Sequence, residues 1–152
     1  MASAAVEINV KEVVSLASKL SGLALKPSER EKLLTSLGVE LEAQTQERFD
    51  TKVDPEGNEW EELSEKYRAY LSKRFPGAEP QLVVSGDLRD TIESQVESWK
   101  VTVGATKEYA AVHNFGFEKK KIPKRQYLGI GLEDERELEA IVDAFIEERL
   151  SA

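Results

Sequence analysis

The chain has 152 residues, of which 40% are hydrophobic and 33% charged, with a net charge of −8 and no cysteine. That length predicts one domain able to bury roughly two thirds of its unfolded surface. The missing cysteines exclude disulfides, thiolate metal sites and a cysteine nucleophile, and the acidic balance argues against a surface that grips DNA non-specifically, so that any DNA contact is expected to be local.

The opening "MASAAVEINV" has neither a basic start nor a continuous apolar core, so no signal peptide is expected there, and no run approaches the ~18 apolar residues of a membrane span. "VEINV" (6–10) alternates apolar and polar residues as a half-buried strand does. Val13, Val14, Leu16, Ala17 and Leu20 then recur at helical spacing, with Gly22 placed to end that helix. Ser28 and Glu31 fit a capping box at the head of a long helix running to about Phe49. Leu33, Leu34, Leu37, Leu41, Thr45 and Phe49 would share one of its faces, and Gly38 would weaken or bend it. "DTKVDPEGNEWEEL" is punctuated as a loop by Asp54-Pro55 and Glu56-Gly57. "LSEKYRAYLSKRF" reads as a helix with Leu63, Tyr67, Tyr70 and Leu71 as its apolar stripe, stopped by "PGAEP".

Beyond Pro80 the character changes. "QLVVSGDLRDT" reads as a short strand, a turn and one helical turn, and "IESQVESW" with "KVTVGA" as two antiparallel strands. "KEYAAVHNFG" is expected to be a short helix ended by Gly116, followed by a basic loop. Leu138, Ile141, Val142, Phe145 and Ile146 give the terminal helix an apolar face. The class is α+β: one domain over residues 1–152, with N-terminal helices on a small, mainly antiparallel sheet, a C-terminal amphipathic helix, and loops projecting near 53–62 and 117–126.

Four groups could carry chemistry. His113 is the only histidine, and a general base needs a nucleophile or orienting acid in reach, which spacing alone does not supply. The bland reading is a histidine packed in a helix–turn. Asp54, Glu56, Asn58 and Glu65 echo a calcium loop, but Glu59 stands where such a loop needs glycine, and a tight turn returning Trp60 and Leu63 to the core explains the stretch as well. Asp87, Asp90 and Glu93 could serve a hydrolase, though a charge-rich stretch is more often a solvated face. No phosphate loop, nucleophile elbow or dinucleotide fingerprint is present, and neither cofactor nor metal is expected. The fourth group is Lys119, Lys120, Lys121, Lys124 and Arg125, interleaved with Phe117, Ile122 and Tyr127. Cations mixed with apolar residues fit a contact surface for an acidic protein face or for DNA phosphates.

Taken together, several stretches resemble the phage virion morphogenesis family, the tail completion proteins of Mu-like and P2-like phages. The resemblance rests on Arg48-Phe49, on Asp54, Pro55, Gly57 and Trp60, and on Ser85, Gly86 and Leu88. It continues through Val103, Gly104, Tyr109, Ala110, His113 and Gly116 to Ile122, Pro123, Arg125, Leu128 and Gly129. Gln126 and Tyr127 depart from the usual proline and phenylalanine of the last motif. The resemblance implies a non-enzymatic part of a tailed phage, completing the tail or forming part of the neck so that head and tail can join. Its setting would be the virion, and the host cytoplasm during assembly. Its partners would be other neck or tail proteins and copies of itself in a ring, possibly a hexamer, with no membrane. The alternatives are a transient assembly factor that leaves the particle, or a hydrolase using His113 or Asp87 and Asp90.

Overall fold

The computed structural model describes residues 4–62, 64–74, 87–107, 110–120 and 123–151. The strand expected near 81–84, together with Leu63, Ser85, Gly86, Tyr109, Lys121 and Ile122, lies outside the described residues, as do the side chains of Val14, Tyr67, Leu71, Asp87 and Lys120.

Three antiparallel strands form the sheet: β1 (Ala4–Asn9), β2 (Glu93–Glu97) and β3 (Lys100–Ala105), in the order β1-β3-β2. The register sets Ile8 and Val96 opposite Val101, and Val6 and Ser94 opposite Val103. Residues directly opposite share a face, so one face is apolar, while Glu7, Thr102 and Gln95 line the other. The β2–β3 hairpin turns at Ser98-Trp99, where Ser98 holds φ +54°.

The apolar face is covered by α2 (Pro27–Thr51), a 25-residue helix whose Leu33, Leu34, Leu37, Leu41, Thr45 and Phe49 are all buried, as expected. Its head is capped differently from the sequence reading. The Glu29 carboxylate, not Glu31, accepts a backbone hydrogen bond at 3.1 Å, from Lys26 rather than Ser28. Pro27 explains the shift: its fixed φ and missing N–H suit the first helical position, so the helix starts earlier. Gly38 also has a packing reason. A β-carbon there would lie 2.7 Å from Ser94 Oγ, so the glycine lets the helix approach β2 closely.

The other helices are α1 (Val14–Leu20), α3 (Glu65–Arg74), α4 (Asp87–Asp90), α5 (Ala110–Phe115) and α6 (Leu132–Ser151). Gly22 at φ +81° follows α1, as expected. α6 runs antiparallel to α2: Arg149 bonds Glu29 at 2.8 Å near one end, and Gln44 donates to the Asp134 carbonyl at 3.2 Å near the other. Leu138 and Val142 are buried between them, and Ile141, Phe145 and Ile146 pack against the same core. The expectation for α3 needs correction at Tyr70, which is 51% exposed; every α3 side chain that is described faces solvent. Among the described residues, no helix is long and apolar enough to cross a membrane.

Candidate functional site

Several of the motif residues, among them Arg48, Phe49, Pro55, Trp60, Arg125 and Gly129, meet at one joint between the end of α2, the 53–62 loop, the end of α5 and the 123–131 segment. The loop builds itself first. Asp54 Oδ1 accepts the N–H groups of Glu56 at 3.0 Å and Asn58 at 2.8 Å, and Asp54 Oδ2 accepts the Asn58 amide at 3.2 Å. Gly57, at φ +90°, makes a turn that a side chain would strain. A bridge between Val53 and Glu59 closes the loop, and Trp60, 5% exposed, is returned to the core. This is the tight-turn reading of the stretch. Asp54 spends its oxygens on the turn's own N–H groups, and no group of three or more metal-ligating side chains occurs among the described residues.

Trp60 packs edge-on against Phe49, with centroids 5.7 Å apart, and Tyr127 tilts against the same ring at 5.1 Å. The polar atoms of these aromatic groups then fix the next segment. Trp60 Nε1 donates to the Gln126 carbonyl at 2.8 Å, and Tyr127 Oη donates to the Ala110 carbonyl at 2.7 Å. Asn114 Oδ1 accepts two N–H groups, from Tyr127 and Leu128, both at 3.0 Å. Arg125 donates from its backbone N–H to the His113 carbonyl at 2.8 Å and from Nε to the Glu61 carbonyl at 2.9 Å.

Arg48 locks the joint from below. It is 5% exposed, donates to the Tyr127 carbonyl at 2.7 Å and pairs with Asp134. Asp134 also accepts the Gly131 N–H at 2.7 Å, reaching back to the head of α6 as a helix cap does. Burial pushes the Arg48 pKa down, and Asp134 opposes that shift. Arginine's ordinary value is so high that the guanidinium stays charged at neutral pH. Close approach enforces glycine at two places: a β-carbon at Gly129 would sit 2.9 Å from Pro55 Cγ, and one at Gly131 only 1.7 Å from the Pro55 carbonyl oxygen.

Two expected contact residues must therefore be reassigned. Arg125 is 5% exposed and Tyr127 is fully buried, so both anchor the segment inward instead of presenting it outward. Their hydrogen-bond partners are backbone carbonyls of the same chain, which buried donors require. The outward part of the stretch is narrower. Phe117 is 39% exposed and Lys119 and Lys124 are exposed, with Phe115 beside them at 63%. A short 3-10 turn spans Glu118–Lys120. Gly116 adopts φ +78° after α5, as a C′ glycine does, and Pro123 begins the anchored run.

His113 is half-buried on α5. Burial, and next the nearby Arg125 charge, push its pKa below the usual histidine value. α5 packs against β1, whereas α4, which carries Asp87 and Asp90, packs against α2. The two alternative hydrolase candidates thus sit on elements with different neighbours. Gly104 is buried in the central strand. Arg48, Asn114 and Asp134 do as much at the joint as any motif residue. Arg48 stood in the sequence only through resemblance. The "GLED" stretch carried a legible signal for Asp134, a cap followed three residues later by an acid. Asn114 carried none.

On the far side of the joint lies an open groove of about 430 Å³ between the end of α2, the 54–57 turn and the head of α6. Glu47, Glu56, Glu133 and Asp134 line it along with Pro55 and Leu132, and Leu132 is 72% exposed.

A protein of Haemophilus influenzae (strain ATCC 51907 / DSM 11121 / KW20 / Rd), described as Mu-like prophage FluMu G protein 1, is 27% identical over 109 residues, covering 71% of this chain and 73% of its own length. No solved structure matches. The phage virion morphogenesis family matches residues 11–147, from the turn before α1 to near the end of α6, and the chain belongs to that family.

Proposed function

We propose that this chain is a non-enzymatic structural protein at the tail end or neck of a tailed phage, completing the tail so that it can join the head. It acts there as a ring of copies beside other neck or tail proteins, because head-to-tail contacts between identical subunits close into rings around a tail axis. Membership of a virion morphogenesis family supports the assembly role. The observation that carries the finer reading is the joint itself. Buried donors and aromatic packing hold the 123–131 segment rigidly, and the neighbouring stretch displays Phe115, Phe117, Lys119 and Lys124 outward. A rigid mount for an exposed, mixed apolar and cationic knuckle suits a contact surface. His113 then has a structural role, setting the approach to that knuckle through its carbonyl bond to Arg125.

The test is mass spectrometry of purified virions together with deletion of the gene. The expected result is a chain retained in finished particles and, without it, heads and tails that fail to join. A chain absent from virions would make it a transient assembly factor. Normal particles from the deletion would overturn the reading. Reversing the exposed Lys119 and Lys124 to Glu should leave the fold intact, since surface charges rarely move stability by more than about 0.5 kcal/mol. It should lower the yield of infectious particles, and normal yield would remove the knuckle from the function.

A further inference from the structure

We infer that the acidic groove at the head of α6 receives the exposed Phe115, Phe117, Lys119 and Lys124 side chains of a second copy of this chain, so that copies join head to tail. This rests on the ring reading above and names its two faces.

Three observations point there. The first is charge. Lys119 and Lys124 are exposed, and neither forms an ion pair among the described residues; the same holds for Glu47 and Glu56 in the groove. A chain of net charge −8 repels its own copies unless a cationic patch meets an acidic one. The second is apolar content. Six large hydrophobic side chains are exposed among the described residues, and three of them, Phe115, Phe117 and Leu132, sit on these two surfaces. Pro55 extends the apolar side of the groove. The third is geometry. No described residue of α5 or of the 117–120 and 123–124 stretches lines the groove, so the two surfaces are separate patches of the chain. A volume of about 430 Å³ takes a few side chains, which is what a knuckle inserts. The two surfaces differ, so the contact is heterologous, and such contacts propagate until they close.

The absence of cysteine makes the test clean. A variant carrying both Lys119→Cys and Glu56→Cys should give, on mild oxidation, a ladder of disulfide-linked oligomers that ends at the ring size. Each single-cysteine variant, having one face only, should stop short of a ladder. Charge exchange supplies a second readout that does not depend on disulfide geometry. Lys119→Glu with Lys124→Glu, or Glu47→Lys with Glu56→Lys, should each weaken self-association about tenfold as attraction turns to repulsion at two pairs. Mixing the two variants should restore it, as alternating copies. Circular dichroism of each variant checks that it is folded. Lack of a ladder in the folded double-cysteine variant, or a mixture no better than its parts, overturns the inference. So does reversal that spares self-association while abolishing attachment to tails, because the occupant would then be a different protein. The proposed function would survive each of those results, since it falls only on the virion and deletion experiments.

Discussion

Removing Asp134 tests whether the joint is held by a charge pair or merely decorated by one. Arg48 and Asp134 are 5% and 14% exposed at their side chains, so little water is available to replace a lost partner. Breaking a buried pair from one side costs ~3–5 kcal/mol, because the remaining charge is stranded. Asp134 is the more open of the two, which moves the expected loss for Asp134→Ala toward the lower end, about 3 kcal/mol including the lost cap on Gly131. Asp134→Asn keeps an acceptor for Arg48 and for the Gly131 N–H but gives up charge assistance, so about 1.5 kcal/mol is expected. Arg48→Met fills similar space but strands both the Asp134 carboxylate and the Tyr127 carbonyl, costing about 3 kcal/mol. The two sites touch, so the double variant Arg48→Met with Asp134→Asn should cost less than the sum by about 1 kcal/mol. Urea unfolding measures all four, with stability read from the midpoint at constant slope. Thermal unfolding should show Asp134→Ala melting roughly 6–12 °C lower. Additive losses, or an Asp134→Ala cost below about 1 kcal/mol, would refute the claim that this pair locks the joint.

Other outcomes follow from single contacts. Gly38→Ala should gain up to about 1 kcal/mol of helix propensity but lose more to the 2.7 Å approach of Ser94 Oγ, which Glu42 pins at 2.8 Å, so calorimetry should show a lower melting temperature. Lys52→Gly should raise stability by about 0.5 kcal/mol in urea titration, because Lys52 ends α2 in the left-handed region at φ 58°. His113 has a folded pKa below its usual value near 6.5, so its neutral form contributes stability that is complete above that value and is lost as pH falls toward the lowered folded value. Unfolding free energy measured between pH 7 and pH 5 should therefore decline more steeply for the natural chain than for His113→Gln.

Much of the architecture was written in periodicity. The seven-residue and four-residue spacing of leucines in α2 and the alternation of β3 state which face is buried, and each is a local property of the chain. α3 was legible as a helix, but helical spacing alone did not distinguish Tyr70, which is half exposed, from a buried position. The cap of α2 was misread because two acids compete for one role three residues from a candidate cap, and Pro27 decides between them. Gly38 looked like a weak point in a helix because its reason, Ser94, is 56 residues away and meets it only through the fold.

The basic stretch shows why a functional surface is harder to read than a core. Five cations between aromatic residues look like one patch, yet the fold divides them. Arg125 and Tyr127 turn inward because a guanidinium with its several N–H donors and a phenol with its one O–H both have long reach, and the joint offers backbone carbonyls at Glu61 and Ala110 to accept them. Lys119 and Lys124 stay outside because no carbonyl or carboxylate of the same chain meets them among the described residues. Composition cannot separate the two groups, since the separation is made by partners distant in sequence. The residues that carry the family pattern, from Asp54 and Trp60 through Gly116 to Gly129, are those whose geometry the joint cannot do without. On the proposed reading, contact with a partner falls to the side chains the joint leaves exposed, Phe115, Phe117, Lys119 and Lys124 on one side and Glu47, Glu56 and Leu132 on the other. Such residues can change without loosening the joint.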